Sequence, residues 1–325
     1  MANSTLKHVI VTGGSGFIGS HLCDLLLKKG YAVTAVDNYI TGRRENLREA
    51  LERPNFDLVK ADVSEKILDE KAIPYLKAYG LHGILHFACP ASPVDFDRIP
   101  MEILKVDSIG TMHTVDLALK YGARFMVAST SEIYGDPLVH PQTEDYWGNV
   151  NTIGPRACYD ETKRFAEAYV STATRLKGLN GGIVRIFNTY GPRMRPDDGR
   201  IVPELCVRGI KGQPLTLHGE GKQTRSFCFV SDLVDGIVRL FESNIHEPVN
   251  MGNPDERSVI EFAQEVNKLM GGRLEMQYLP AREDDPRRRC PDITRARKLL
   301  GWEPKVQLAE GLKLSVEYFR SELPQ

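Results

Sequence analysis

The run Val9-Ile10-Val11-Thr12-Gly13-Gly14-Ser15-Gly16-Phe17-Ile18-Gly19 decides how this chain folds. Its apolar, β-branched start reads as a buried strand, and a helical pattern continues from the glycines through Lys29. Gly30 stands where a glycine helix stop belongs. Between strand and helix, Gly13 permits a tight turn, Gly16 lets the backbone approach a pyrophosphate, and Gly19 lets helix and strand pack closely. The helix start offers free N–H groups and the positive end of its dipole to phosphates. A glycine pattern alone also fits an ordinary turn. Here the next strand, Ala32 to Val36, ends on Asp37. A carboxylate there accepts hydrogen bonds from ribose hydroxyls and repels a 2′-phosphate, so the spacing predicts NAD over NADP. The candidate cofactor contacts are Gly13, Gly16, Phe17, Ile18, Gly19, Asp37 and Asn38, with Asp62 and Val63 flanking the adenine. Asp62 also reads as a plain helix cap, and Arg43 and Arg44 as a solvated loop.

Outward from this unit, further strands are predicted at Phe56 to Ala61, Gly83 to Ala88, Arg124 to Ala128 and Gly182 to Phe187. Long helical patterns cover about 101–121 and 156–177. This alternation predicts an α/β fold, a Rossmann-type doubly wound parallel sheet with right-handed crossovers. After Asn188 the texture changes. Loops at Gly191-Pro192, Arg195-Pro196 and Asp198-Gly199 precede a short helix near 201–211 and a hairpin-like stretch near 214–228. Residues 231–242 read as helix, Pro248 to Met251 as one more buried strand, and 253–325 as helices with proline-rich joints. The expected division is a cofactor domain over 1–190, to which 226–252 return, and a smaller C-terminal substrate-binding α/β domain over 191–325.

A formal net charge of −1 over 325 residues gives no electrostatic reason to expect nucleic acid or an anionic membrane as partner. No run approaches the roughly 18 to 20 apolar residues of a membrane span, and the polar Met1 to Lys7 segment lacks the apolar stretch of a leader. Six scattered cysteines without a CxxC pair read as reduced thiols, hence a cytoplasmic protein. His82 and His86 lack a third ligand for a metal, so no metal is expected. Tyr146 and Trp147 read as shaping a substrate loop or filling a core.

Tyr159 and Lys163 are four apart and share one helical face. A free phenol, with a pKa near 10, is too weak a base at neutral pH. A neighbouring ammonium and a nicotinamide cation favour the phenolate and are expected to lower that value. Lys163 can also hold the nicotinamide ribose. A surface Tyr/Lys pair is common, but here Ser129-Thr130-Ser131-Glu132-Ile133-Tyr134-Gly135 follows the fifth strand, with the Thr130 hydroxyl on a fixed strand end.

The stretches Thr12 to Gly19, Ser129 to Gly135 and Tyr159 to Lys163, in this order, resemble the extended short-chain dehydrogenase/reductase family over essentially the whole chain. Within it, Pro90-Ala91-Ser92-Pro93, Thr130-Ser131-Glu132, Val150-Asn151, Ile153 to Glu161, Arg185 to Met194, Gln223-Thr224-Arg225 and Arg289-Cys290-Pro291-Asp292 resemble the UDP-glucuronate decarboxylases, or UDP-xylose synthases. Ser131-Glu132 is the main discriminator. The 4,6-dehydratases carry Asp-Glu after the threonine, and the 4-epimerases usually carry small residues. Asp107 departs from the family's asparagine in an N-x-x-G-T turn; Cys89, Cys290, Thr152 and Thr162 are lesser departures. None of these is expected to touch Thr130, Glu132, Tyr159 or Lys163.

The resemblance implies NAD, UDP-glucuronate as substrate and a homodimer built on the helices at 101–121 and 156–177. It implies a route in which oxidation at C4 makes a β-keto acid, carbon dioxide leaves from C5, and the same hydride returns to C4. Tyr159 would take the C4 hydroxyl proton, with Thr130 beside the C4 oxygen as charge develops there. Glu132 would orient the carboxylate end or relay the proton to C5, with Arg289 opposite. Asn188, Arg193, Arg225 and Arg289 would bind substrate, the arginines as planar phosphate donors, and Pro214 to His218 would clasp the uracil. Two other readings stay open: a sugar-nucleotide 4-epimerase or 4,6-dehydratase, and a non-catalytic NAD-binding regulatory protein.

Overall fold

The computed structural model describes residues 6–65, 68–281 and 284–323. Met1 to Thr5, on which most of the reading of a polar start rests, lie outside the described residues. Strand β1 (His8–Thr12) passes through the glycine turn into α1 (Phe17–Lys28), then β2 (Ala32–Asp37) and β3 (Phe56–Lys60). Helix α2 (Pro74–Tyr79) leads to β4 (Gly83–His86). Helices α3 (Pro93–Arg98), α4 (Pro100–Lys105) and α5 (Thr111–Tyr121) precede β5 (Arg124–Thr130), and α6 (Ala157–Lys177) precedes β6 (Asn180–Ile186). Then follow β7 (Thr189–Tyr190), α7 (Ile201–Ile210), β8 (Leu215–His218), β9 (Thr224–Ser226), β10 (Cys228–Phe229), α8 (Val230–Phe241) and β11 (Pro248–Met251). The chain ends with β12 (Glu256–Ser258), α9 (Val259–Leu269), β13 (Met276–Leu279), α10 (Thr294–Leu300) and α11 (Leu308–Glu322).

Seven of these strands form one parallel sheet in the order β11-β6-β5-β4-β1-β2-β3. Its strands are apolar without alternation because both faces are covered: all five residues of β1 and all seven of β5 are buried. On one face Leu22 and Leu26 of α1, Val33 of β2 and Ile237 of α8 share a core. On the other, Ile10, Val36 and Phe125 meet Ala166 and Val170 of α6. Each of the larger side chains among these contributes about 1.5–3 kcal/mol by leaving water. The order reverses between β1 and β4, and that reversal opens a crevice beyond the strands' carboxyl ends. Positive-φ glycines, Gly122 and Gly178, stop α5 and α6.

Four local expectations are corrected. The stretch 214–228 is no hairpin. Strand β8 pairs in parallel with β13, β9 antiparallel with β12, and β10 in parallel with β7. The bend between β8 and β9 is held by α9 instead, whose first amides, on Val259 and Ile260, donate to the Gln223 and Gly221 carbonyls. The tail 253–325 accordingly carries two strands as well as helices. The helix expected over 101–121 is interrupted by a π turn, Val106–Gly110, between α4 and α5. Trp147 fills no core: it is 89% exposed, whereas Tyr146 stacks on Tyr134 with ring centroids 6.0 Å apart.

Candidate active site

The glycine turn is shaped as its spacing requires. Gly13 has φ +69°, and a Cβ there would stand 2.6 Å from the Phe87 carbonyl oxygen. A Cβ on Gly19 would stand 2.1 Å from the Gly13 carbonyl oxygen, so α1 begins with its backbone pressed on the turn. Gly16 is the N-cap residue of α1 and has no side-chain cap, which leaves the first helical amides facing the cavity. Asp37, at the end of β2, accepts hydrogen bonds from the Ser15 and Tyr39 backbone amides at 2.9 and 2.8 Å. Burial pushes its carboxyl up and these amides oppose that. Asn38 donates to Asp62 at 2.8 Å, and Asp62 also accepts from the Ser64 amide and hydroxyl. Arg43 is only partly solvated: it donates to the Tyr318 hydroxyl at 2.8 Å and pairs with Glu322 at 2.7 Å, which ties this loop to α11.

Tyr159 and Lys163 face inward from the first turns of α6, both buried. The phenol stacks on Phe96 with centroids 5.0 Å apart, and the Lys163 Nζ lies 5.7 Å from the phenol ring centroid. Thr130, at the tip of β5, favours the charged form of the phenol and accepts from the Glu132 amide at 3.2 Å. Burial pushes the Tyr159 phenol up and outweighs the lowering by Lys163. The Asp107 carboxylate, which pairs with Lys163 at 3.0 Å, adds a smaller upward push. Asp107 was expected to touch none of the catalytic residues. Its partnership with Lys163 was hidden because 56 residues separate the two along the chain.

Glu132 sits between two guanidinium groups, Arg289 at 2.6 Å and Arg156 at 2.7 Å. Burial raises its carboxyl, but Arg289 and then Arg156 outweigh burial and hold it well below the usual carboxylate range. It is therefore an anion at neutral pH and not a resting proton donor. Arg289 also donates to the Asn188 side chain at 3.3 Å. Arg225 is buried and paired with Asp285 at 2.7 Å, and Arg193 is paired with Asp24 at 2.7 Å. The Arg193 Nη1 is buried without a partner and thus free for an acceptor in the cavity.

All seventeen residues singled out from the sequence line one cavity of about 330 Å³. It runs from the glycine turn along the ends of β1, β4 and β5 to Arg225 and Arg289. Thr216 and His218, from the stretch expected to clasp uracil, also line it. Three arginines in the wall, Arg156, Arg195 and Arg200, were assigned no role from the sequence. Arg156 lies three residues before Tyr159, a spacing that puts both at the start of one helix face. Arg200 is fixed by Asp198 through bonds of 2.5 and 2.8 Å, and nothing in its loop sequence signals that.

Residues 10–314 match the pattern of the GDP-mannose 4,6 dehydratase family. The chain belongs to this family of extended short-chain dehydrogenases/reductases. It is similar to UDP-glucuronic acid decarboxylase 1 of Danio rerio, 48% identical over 98% of this chain and 73% of that protein. With UDP-glucuronic acid decarboxylase 2 of Arabidopsis thaliana it shares 49% identity over 97% of this chain and 68% of the relative. Among solved structures it resembles UDP-glucose 4-epimerase of Thermotoga maritima with UDP-glucose, at a TM-score of 0.87 and 32% identity, over 98% of this chain and 100% of that one. It also resembles UDP-glucuronic acid 4-epimerase of Bacillus cereus, solved with UDP-glucuronic acid and NAD, at 0.87 and 26% identity, over 97% and 100% of the two chains.

Proposed function

We propose that this chain is an NAD-dependent decarboxylase that converts UDP-glucuronate to UDP-xylose through a 4-keto intermediate. The observation that carries the reading is the largely buried Arg156–Glu132–Arg289 cluster on the same cavity wall as Tyr159 and Thr130. An acid-bearing sugar needs positive charge at one end of its ring and a proton acceptor at the other. The cavity suits NAD: the Gly13 and Gly19 positions leave no room for a Cβ, and the uncapped start of α1 presents amides to a diphosphate. Gly13, Gly16, Phe17, Ile18 and Gly19 would hold the diphosphate, Asp37 and Asn38 the ribose, Asp62 and Val63 the adenine. When bound, NAD supplies the reversible oxidation at C4 that makes loss of carbon dioxide from C5 possible.

The chain's own residues do the rest. Tyr159 accepts the C4 hydroxyl proton and, with Thr130, hydrogen-bonds the C4 oxygen while negative charge collects on it after decarboxylation. Lys163 fixes the phenol's surroundings. Glu132, held as an anion, orients Arg156 and Arg289 toward the sugar acid and positions the water that returns a proton to C5. Asn188, Arg193 and Arg225 bind the diphosphate and its neighbours. Arg225 is already desolvated in the free protein, so that cost falls on folding and not on binding.

The cofactor half is residues 1–190 with 226–252, and the remaining C-terminal pieces close over the nucleotide. Among the described residues no helix is long and apolar enough to cross a membrane, and all six cysteines are free. A cytoplasmic location fits these thiols. Met101, Ile109 and Phe165 are exposed apolar residues on α4, the π turn and α6, which suits a homodimer through these helices. The deciding experiment is incubation with UDP-glucuronate and NAD followed by mass analysis of the nucleotide sugar. Loss of the mass of carbon dioxide is expected. An unchanged mass with inverted sugar configuration would identify an epimerase and overturn the reading.

A further inference from the structure

The buried pair behind Tyr159 carries a second inference, which rests on the reading of Tyr159 as the proton acceptor. We propose that Asp107 is a positioning residue for this reaction: its carboxylate holds the Lys163 ammonium in place and offsets part of its charge at the Tyr159 phenol. Lys163 donates to Asp107 at 3.0 Å and to the Ala128 carbonyl at 2.9 Å, and the two side chains of the pair are 4% and 1% exposed. Ala128 lies in β5, two residues before Thr130, so the ammonium is tied to the same strand end that carries the Thr130 hydroxyl. The second Asp107 oxygen faces the Thr162 hydroxyl at 3.5 Å.

The backbone is built to bring Asp107 there. It is the second residue of the π turn, a widened turn of the kind that clusters at functional positions. The Thr111 hydroxyl donates to the Asp107 carbonyl at 2.7 Å and the Ser108 hydroxyl to the Leu104 carbonyl at 2.5 Å, so two side chains take up carbonyls within this irregular stretch. Asp107 does not line the cavity. It reaches the chemistry only through Lys163.

The consequence is electrostatic. Lys163 and Asp107 together carry no net charge, and the ammonium keeps the larger effect on Tyr159. The other groups around them are His86 from β4, Cys89 from the loop after it, and Arg200 from beyond β7. Burial holds His86 at about 4, so it is neutral at working pH, and pushes the Cys89 thiol well up. Burial alone would depress Lys163; Asp107 reverses that and holds it well above its ordinary value. An amide in place of the carboxylate keeps an oxygen acceptor for Lys163 and removes one negative charge. Every proton loss from the coupled Tyr159–Lys163 pair then becomes easier.

The test compares wild type with D107N, D107S and D107E. The first readout is the pH profile of single-turnover reduction of NAD with UDP-glucuronate. The second needs no substrate: ultraviolet difference titration of the Tyr159 phenolate, each protein against its own Y159F counterpart. Both the alkaline-going limb of the rate and the phenolate midpoint should move to lower pH in D107N by roughly one unit or more, the size of one neighbouring charge. D107S carries the same test if D107N does not fold, and D107E, which keeps the charge, should retain the wild-type limb whatever its rate. A residue of purely structural importance would lower the rate at all pH values and leave the limb in place. An unmoved or alkaline-shifted limb and midpoint in D107N or D107S would overturn the proposal. Wild type that releases no carbon dioxide from UDP-glucuronate would overturn the functional reading instead, and the phenolate titration would still decide on Asp107.

Discussion

Gly19→Ala sets two effects against each other, and the structure says which wins. Within a helix, alanine is better than glycine by about 0.8–1.0 kcal/mol, and Gly19 is the third residue of α1. Propensity alone therefore stabilises the variant. The new Cβ would stand 2.1 Å from the Gly13 carbonyl oxygen, where contacts under 3.0 Å are not tolerated. That oxygen must retreat by at least about 0.9 Å, the difference between those two distances. It has little freedom, because it accepts the Gly16 amide at 3.0 Å and the Gly13 amide donates to Val36 at 2.8 Å. Forced shifts of packed groups cost about 1–3 kcal/mol, so the net loss of stability is about 0–2 kcal/mol. At about 2.1 cal/mol/K of unfolding entropy per residue, a chain this long loses only about 1.5 °C in Tm for each kcal/mol. Cofactor affinity is the sharper readout. Moving the turn misaims the amides that face the phosphates, and one hydrogen bond to a charged group is worth about 1.5–3 kcal/mol. The expected loss is roughly ten- to hundredfold in Kd for NAD, measured by calorimetric titration beside thermal unfolding. A Gly19→Ala protein that binds NAD as wild type does, with a raised Tm, would refute the close-approach argument.

Three further outcomes are expected. Tyr159→Phe should form no NADH from UDP-glucuronate while binding NAD normally; turnover at the wild-type rate would remove the proton acceptor from the mechanism. Glu132→Gln leaves Arg156 and Arg289 facing each other without their anion, and breaking a buried ion pair costs about 3–5 kcal/mol. Chemical denaturation should show that loss at neutral pH and show it shrinking as acid protonates the wild-type carboxylate. His86 is buried, its imidazole held by the Thr12 hydroxyl at 2.8 Å, and burial lowers its pKa from 6.5 to about 4. A base with a depressed folded pKa contributes stability above its unfolded value, and that contribution is lost as pH falls from about 6.5 to 4. At about 1.4 kcal/mol per unit, some 3 kcal/mol of wild-type stability should disappear across that window. His86→Asn should show a flatter acid limb, and an unchanged slope would count against the burial of a neutral imidazole.

What this chain's sequence determines by itself is everything carried by short-range pattern. Val9 to Gly19 specifies strand, turn and helix because each glycine answers to backbone sterics within a few residues. The unbroken apolar runs specify strands covered on both faces. Tyr159 and Lys163 meet because four residues make one helical turn, and Thr130 and Glu132 follow from a strand end. Tertiary structure alone decides what depends on partners far along the chain. Strand β8 could not announce that it would pair with β13 rather than with its neighbour, since the pattern of a strand names no partner. Arg43 reads as solvated until α11 arrives beside it. Arg156 and Arg289 become a clamp only when 24-residue and 157-residue separations close on the same Glu132 oxygen. The charge on Lys163 was legible, but its partial offset was not, because Asp107 reaches it across a π turn and a sheet end. Coulomb forces and burial act through space, and a linear pattern records only neighbours along the chain.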